Sequence, residues 1–249
     1  MKVSGSVTGP DNWPKRWEDK SNALRAVNWN TFRRDPVLME GIQIQHKLFD
    51  VWLERVRTAG VSPSESEDDG MGSPEGQIVD GYFTTADSLR QAYYAKTICS
   101  NWSLPAYFNV LDIGGGYGAF AQALRRRARL SYFALDAEPC LRMQKEFADA
   151  REWRAPRRID LALNTNSFGE MDLDEVRRYF EIIETYLVDG GALYTQNRLF
   201  RVTSFSEYPY GPGWRHILVR HPWNEEGKFE CLSVRDRNAT SPHPATILQ

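Results

Sequence analysis

The chain has 249 residues, 41% of them hydrophobic, and a formal net charge of −2. That length and apolar content suit one α/β domain with an N-terminal extension, and the nearly balanced charge supplies no global basic field for nucleic acid. No apolar run is long enough to span a bilayer, and the three cysteines, Cys99, Cys140 and Cys231, form no metal or redox motif.

Cysteines so few and so widely spaced fit a reducing compartment, and residues 1–10 lack the apolar core of a secretory signal, so a cytoplasmic protein is expected. Trp13, Trp17, Trp29 and Phe32 are early aromatics. Residues 37–56 carry Leu38, Ile42, Ile44, Leu48, Phe49, Trp52, Leu53 and Val56 at spacings that predict a helix, packed on the main domain or serving as a lid. His46 reads as polar surface. Residues 1–60 are thus expected to form an N-terminal helical extension. Residues 62–75, Ser-Pro-Ser-Glu-Ser-Glu-Asp-Asp-Gly-Met-Gly-Ser-Pro-Glu, bury too little surface to offset chain entropy, which predicts a flexible acidic loop over 61–76. The domain proper is expected over 77–238, with a loose tail over 239–249. Residues 84–99 predict a helix, with Arg90, Tyr93 and Tyr94 facing a cleft or packing into the core.

Val110-Leu111-Asp112-Ile113-Gly114-Gly115-Gly116-Tyr117-Gly118 is an apolar run closed by an acid and followed by G-x-G-x-G. The spacing predicts a buried strand ending at Ile113, then a turn whose glycines lack Cβ atoms and let the backbone approach a ligand. An ordinary strand-to-helix turn is the bland alternative. The context favours a nucleotide site: Ala119, Phe120, Ala123 and Leu124 continue at helical spacing, and residues 131–135 read as a second strand closed by Asp136. Asp136 lies about twenty residues past the glycines, where such folds set a carboxylate on ribose hydroxyls, and it equally suits an N-cap for a helix over 137–150. S-adenosylmethionine (SAM) and NAD both fit this order. Ala119 at the third glycine position of a dinucleotide turn, the late position of the motif, and Asp112 in the strand end favour SAM. Asp112 would accept from the methionine amino group or orient the turn. Arg125, Arg126, Arg127 and Arg129 suit a solvated helix end, or a phosphate or acidic-partner site.

Residues 158–171 form an apolar strand running into a polar loop, where Asn164, Asn166, Ser167 and Glu170 should line a pocket at the strand's carboxyl end. Asn166 equally suits a turn, and Asp160 the start of the strand. From Asp172, acids in the first turn and apolar residues at helical spacing predict a helix that Gly190-Gly191 stops, followed by a core strand over 192–196. Residues 200–214, rich in aromatics, Pro and Gly, suggest a loop over the acceptor site. Residues 214–220 and 229–234 read as a terminal antiparallel hairpin.

On these residues the chain resembles class I SAM-dependent methyltransferases, and more narrowly the sugar O-methyltransferase group. The resemblance rests on Leu111 to Gly118, on Asn164-Thr165-Asn166-Ser167-Phe168-Gly169-Glu170-Met171 and on Leu89-Arg90-Gln91-Ala92-Tyr93-Tyr94, and covers about residues 80 to 200. It implies a Rossmann-like, doubly wound, mostly parallel seven-stranded sheet with the C-terminal antiparallel hairpin, SAM as methyl donor, and a sugar-like hydroxyl as acceptor. One departure stands out. Only residues 137–158 separate the second strand from the next, room for a helix and a very short third strand but not for a full unit. That shortening puts the adenine side of the pocket in question, with Glu152 or Trp153 as substitutes, and is the argument for an inactive relative.

The expected activity is methyl transfer to a hydroxyl, which needs a positioned base. Glu170 and His216 are the candidates, His221 a weaker one; Glu170 would otherwise cap a helix and His216 end a strand. Cofactor binding is expected at Asp112, Gly114, Gly115, Gly116, Gly118, Asp136 and Asn164, and acceptor binding at Asn166, Ser167, Tyr94 and Arg90. No metal site, nucleic-acid partner or membrane is expected, and a homo-oligomer is compatible with the sequence. The rival readings are a noncatalytic methyltransferase-like binding protein and an NAD-linked enzyme.

Overall fold

The computed structural model describes residues 22, 25–36, 46–198, 205–220 and 227–238. Trp13, Trp17, residues 37–45 with Leu38, Ile42 and Ile44, His221 and the 239–249 tail lie outside them. Helix α1, Phe49–Thr58, follows a short turn at His46–Leu48 and buries Phe49, Trp52 and Val56 on one face. Over its described part this helix joins the core cluster of the sheet.

The acidic segment is folded, which corrects the expected flexible loop. Ser62 and Glu65 form a capping box on the turn Pro63–Ser66. Beyond it, the buried Asp68 accepts two bonds from Arg33, at 2.7 and 2.8 Å, and one from the Thr85 hydroxyl at 2.9 Å. Composition hid this because the segment is held by an ion pair with a residue far away in sequence, and not by its own apolar surface. Burial works to raise the Asp68 carboxyl, but the Arg33 guanidinium outweighs it, with help from the Gly70 N–H and Thr85, and holds it below the usual carboxylate range.

Strands β1, Gln77–Val79, and β2, Tyr82–Thr84, pair antiparallel across Asp80-Gly81, both residues at positive φ as a tight hairpin turn requires. Helix α2, Ala86–Asn101, starts at a Thr85/Ser88 capping box. The alternation then settles into strand and helix: β3 Phe108–Ile113, α3 Ala119–Arg125, β4 Leu130–Leu135, α4 Glu138–Ala148, β5 Arg151–Glu152, β6 Ile159–Thr165, α5 Leu173–Tyr186, β7 Leu187–Arg198, β8 Trp214–Arg220 and β9 Lys228–Arg235. Asp172 caps α5 by accepting from the Glu175 N–H at 2.9 Å. The helix ends at Tyr186, earlier than the glycines suggested, and β7 runs through Gly190.

The sheet order is β5-β4-β3-β6-β7-β9-β8, parallel from β5 to β7 and antiparallel at β9 and β8. The seven-stranded sheet starts at β3, winds outward through β4 to β5, then returns to β6 on the other side. The strand order therefore reverses between β3 and β6, the place where open α/β sheets bind ligands. Strand β5 is reduced to two residues, paired as Phe133↔Arg151 and Ala134↔Glu152, and no helix follows it. Trp153 and Arg157 cover that region: Trp153 packs on Tyr186 with centroids 5.2 Å apart, and the Arg157 guanidinium sits 4.2 Å from the Phe133 ring centroid. One core layer lies under α1, α2, α3 and α4 and a second under α5. Among the described residues no helix is long and apolar enough to cross a membrane.

Candidate active site

The carboxyl end of β3 leads into the Gly114 to Gly118 turn, with Gly114, Gly116 and Gly118 at φ of +69°, +65° and +91°. These are left-handed conformations that side chains disfavour. Space matters as much as conformation. A Cβ on Gly114 would lie 2.2 Å from Ser167 Oγ, and one on Gly115 1.9 Å from Asp112 Oδ2. Gly118 is at the N-cap of α3, where a Cβ would lie 2.7 Å from that of Ala148, so its bareness lets α3 and α4 pack closely. It does not line the cleft.

Asp136, directly after β4, closes the turn from the other side. It accepts from the Gly116 N–H at 3.1 Å, the Ala137 N–H at 2.7 Å and the Gln144 amide at 2.8 Å. Burial pushes its carboxyl up to about 7; the Ala137 N–H opposes that and the charge of nearby Asp112 adds to it. Asp112 is fully enclosed beneath the turn, with the Tyr132 hydroxyl as its bonded partner and Oδ1 without one, and burial pushes it up to about 7 as well. Of the two roles expected for Asp112, the geometry matches support of the turn. Its carboxylate lies under Gly115, away from the cleft wall.

The loop after β6 supplies the facing wall. Asn166, at φ +67°, donates its N–H to the Gln196 carbonyl at 2.7 Å, and Ser167 donates to the Ile113 carbonyl at 3.1 Å. Both residues border the cleft, as does Glu170 at the end of the Phe168–Glu170 turn. Asn164 does not. It is buried behind the loop, donating to the Ile113 carbonyl at 2.8 Å and accepting from the Phe168 N–H at 3.1 Å and the Asn197 amide at 2.9 Å. Its hydrogen-bonding groups are thus engaged by the protein, and it shapes the loop instead of touching a ligand.

Helix α2 forms the roof. Arg90 lines the cleft in an ion pair with Asp87, which also accepts from the Tyr117 hydroxyl, and Arg90 Nε is buried without a partner among the described residues. The Arg33 guanidinium lies 5.1 Å from the Tyr117 ring centroid. The N-terminal segment and the acidic loop are therefore joined to the cleft wall through Arg33, Tyr117 and Asp87. Asp87, Gln91, Tyr117, Cys140, Met171 and Glu175 border the same space and were not singled out from sequence. Asp87 and Arg90 stand three apart on one helix, a signal available in the sequence. The contributions of Cys140 and Glu175 depend on the strand order. Together these walls enclose an open cleft of about 790 Å³, mouth included.

Two acceptor-side expectations are corrected. Tyr94 is core: its ring packs on Trp52 and Tyr194, with centroids 5.9 and 5.8 Å away. His216 lies on β8 at the far edge of the sheet, where Nδ1 is 2.8 Å from Ser233 Oγ and the ring packs on Tyr210 at 4.8 Å. Burial lowers its pKa, but no residue of β8 borders the cleft, so His216 cannot reach a reacting group there. The aromatics of the described part of the 200–214 loop also turn inward. Phe205, Tyr208 and Tyr210 pack on Phe180 and Phe229. Glu152 pairs with Arg154 at the surface and Trp153 is buried against α5, and neither borders the cleft.

The cleft fits the methionine and ribose portions of SAM. The bare glycine turn leaves backbone room, the unpartnered Arg90 Nε is a donor for a carboxylate, and Asp136 retains lone pairs for hydroxyl donors. No curated protein matches the sequence. Among solved structures, similarity is found to a SAM-dependent methyltransferase from Clostridium acetobutylicum (18% identity, TM-score 0.38, 44% of this chain and 50% of that one). It is also found to a TehB-like SAM-dependent methyltransferase from Corynebacterium glutamicum (14%, 0.47, 59% and 86%). A third is a ribosomal protein L11 methylase from Lactobacillus delbrueckii subsp. bulgaricus (13%, 0.47, 65% and 90%). The chain thus spans half the length of the first of these, and no acceptor is read from any of them. The sequence itself matches the family model described as a methyltransferase domain over residues 43–234, most of its length, and the chain therefore belongs to that methyltransferase-domain family.

Proposed function

We propose that this methyltransferase uses SAM to methylate a hydroxyl group of a sugar-like small molecule. The observation that carries the reading is the meeting of the glycine turn, Asp136 and Glu170 around one cleft at the point where the strand order reverses. SAM, when bound, supplies a methyl group on a sulfonium that an oxygen nucleophile attacks. The 114–116 backbone holds the methionine end, Arg90 Nε donates to its carboxylate, and Asp136 accepts from the ribose hydroxyls.

Glu170 borders the cleft and takes the acceptor proton as the carbon–oxygen bond forms, a contribution of about 10²–10⁴ in rate for a well-placed base. Asn166 and Ser167, on the same loop, position the acceptor. The free Cys99, Cys140 and Cys231 are consistent with a cytoplasmic setting. The test is transfer of labelled methyl from SAM to a panel of sugars and glycosides. Transfer that Glu170→Gln slows by about two orders of magnitude or more while sparing SAM affinity supports the assignment. Undiminished transfer removes Glu170 as base.

A second reading, a noncatalytic SAM-binding protein, draws on the two-residue β5 and the missing helix after it. SAM binding without transfer to any hydroxylated compound would favour it.

A further inference from the structure

Two buried carboxamides, Gln91 on the cleft wall and Gln196 beside the cleft-lining Thr165, have oxygens that nothing among the described residues satisfies, and from them we infer that Gln91 and Gln196 form a recognition pair for two neighbouring hydroxyl groups of the acceptor. The inference rests on the proposed methyltransferase reading and extends it to the choice of acceptor. Gln91 on α2 is 5% exposed and Gln196 on β7 is 3% exposed, and each Oε1 is buried without a hydrogen-bond partner among the described residues.

They flank one contact between helix and sheet, Gln91 bordering the cleft and Gln196 set behind Thr165. The rings of Tyr94 and Tyr194, 5.8 Å apart, hold α2 against β7. Gln91 precedes Tyr94 by one helical turn, in the direction of Asp87 and Arg90, and borders the cleft itself. Gln196 follows Tyr194 by two residues, so it projects from the same face of the sheet. It stands opposite Thr165 in the β6–β7 register, and its carbonyl accepts from Asn166. Thr165 and Asn166 both border the cleft.

A buried carbonyl oxygen without a donor destabilises a fold and is rarely retained without a reason. The matching ligand brings donors, one for each amide. Adjacent hydroxyls on a polyol supply them, and the molecule then presents a further hydroxyl for methylation. A site with fixed acceptors for two hydroxyls also discriminates strongly against analogues that lack one, because the unmatched amide stays buried and unpaired.

The test uses the full chain with Gln91→Met, Gln196→Met and both together. A waiting amide is unsatisfied in the free protein, so each apolar replacement of similar shape raises Tm, by about 2–4 °C. A fall of that size means the amide is bonded within the protein and overturns the proposal. Methyl transfer is then measured with methyl α-D-glucopyranoside and, as the single-hydroxyl probe, cyclohexanol. The glucoside is the preferred acceptor of the parent protein, and the double variant loses at least tenfold in kcat/KM for it. Equal transfer to both probes, or transfer to neither, overturns the assignment. Binding of S-adenosylhomocysteine (SAH) is followed in parallel and stays within twofold in Gln196→Met. Loss of SAH binding already in the parent protein would instead sink the methyltransferase reading while leaving the Tm comparison intact.

Discussion

Replacing Gly114 by alanine separates two reasons why this position has no side chain. The backbone is at φ +69°, a left-handed conformation that costs an ordinary residue about 1–2 kcal/mol. The new Cβ also meets Ser167, 2.2 Å from Oγ and 2.5 Å from Cβ, so Ser167 must move and give up its bond to the Ile113 carbonyl. Overpacking of that kind costs about 1–3 kcal/mol. The sum is about 2–5 kcal/mol, or roughly 4–20 °C in Tm for a domain of this size. Ser167→Gly removes the steric part and leaves the backbone part. In the Ser167→Gly background Gly114→Ala should therefore cost only about 1–2 kcal/mol, a coupling of about 1–3 kcal/mol between the sites. Denaturant unfolding of the four proteins measures this. SAH affinity, followed by calorimetry, should fall about tenfold or more in the single Gly114→Ala variant, an effect of about 1.4 kcal/mol. Additive effects of the two substitutions, or parental Tm and affinity in Gly114→Ala, would refute the picture of a turn clamped between β3 and the β6 loop.

Asp68→Asn leaves Arg33 buried against a neutral partner, and should cost about 3–5 kcal/mol in denaturant melts; parental stability would mean the acidic loop is not anchored through this pair. His216→Gln should leave methyl transfer within about threefold of parent, since β8 does not reach the cleft, whereas a loss like that of a catalytic base, about a hundredfold, would return His216 to the mechanism. Stability should also depend on pH in a direction set by Asp112 and Asp136. Both are raised from 3.8 to about 7, so between those limits the native state holds protons that the unfolded chain releases. Their contribution is complete below about pH 4 and declines as pH rises towards 7. Asp112→Asn should flatten part of that decline when unfolding is compared at pH 5 and pH 8; an unchanged slope would assign it to other groups.

The sequence revealed the parts of this site that are local. Gly114 to Gly118 must turn and approach closely, and the need for bare backbone is written in the residues themselves. Asp136 could be placed because it ends the strand after that turn. The two-residue β5 was foreshadowed by the short 137–158 interval, which leaves no room for more. What was hidden depends on partners distant in sequence. Asn164 and Ser167 have the same polar character, and only the fold decides that one is engaged by Asn197 and Phe168 while the other borders the cleft. Tyr94 and Arg90 share a helix, and their separation into core and wall follows from what packs on each. His216 has suitable intrinsic chemistry but sits on the wrong strand. Asp68 illustrates the reverse error, an acid in a polar stretch that becomes buried because Arg33 reaches it.

The most direct test of the central claim is calorimetric titration of the folded protein with SAM and SAH, using NAD as the control. The account predicts micromolar binding of both SAM and SAH, none of NAD, and affinity weakened about tenfold or more in Gly114→Ala. Binding of NAD, or no binding of SAM and SAH by protein with a cooperative melting transition, would contradict it.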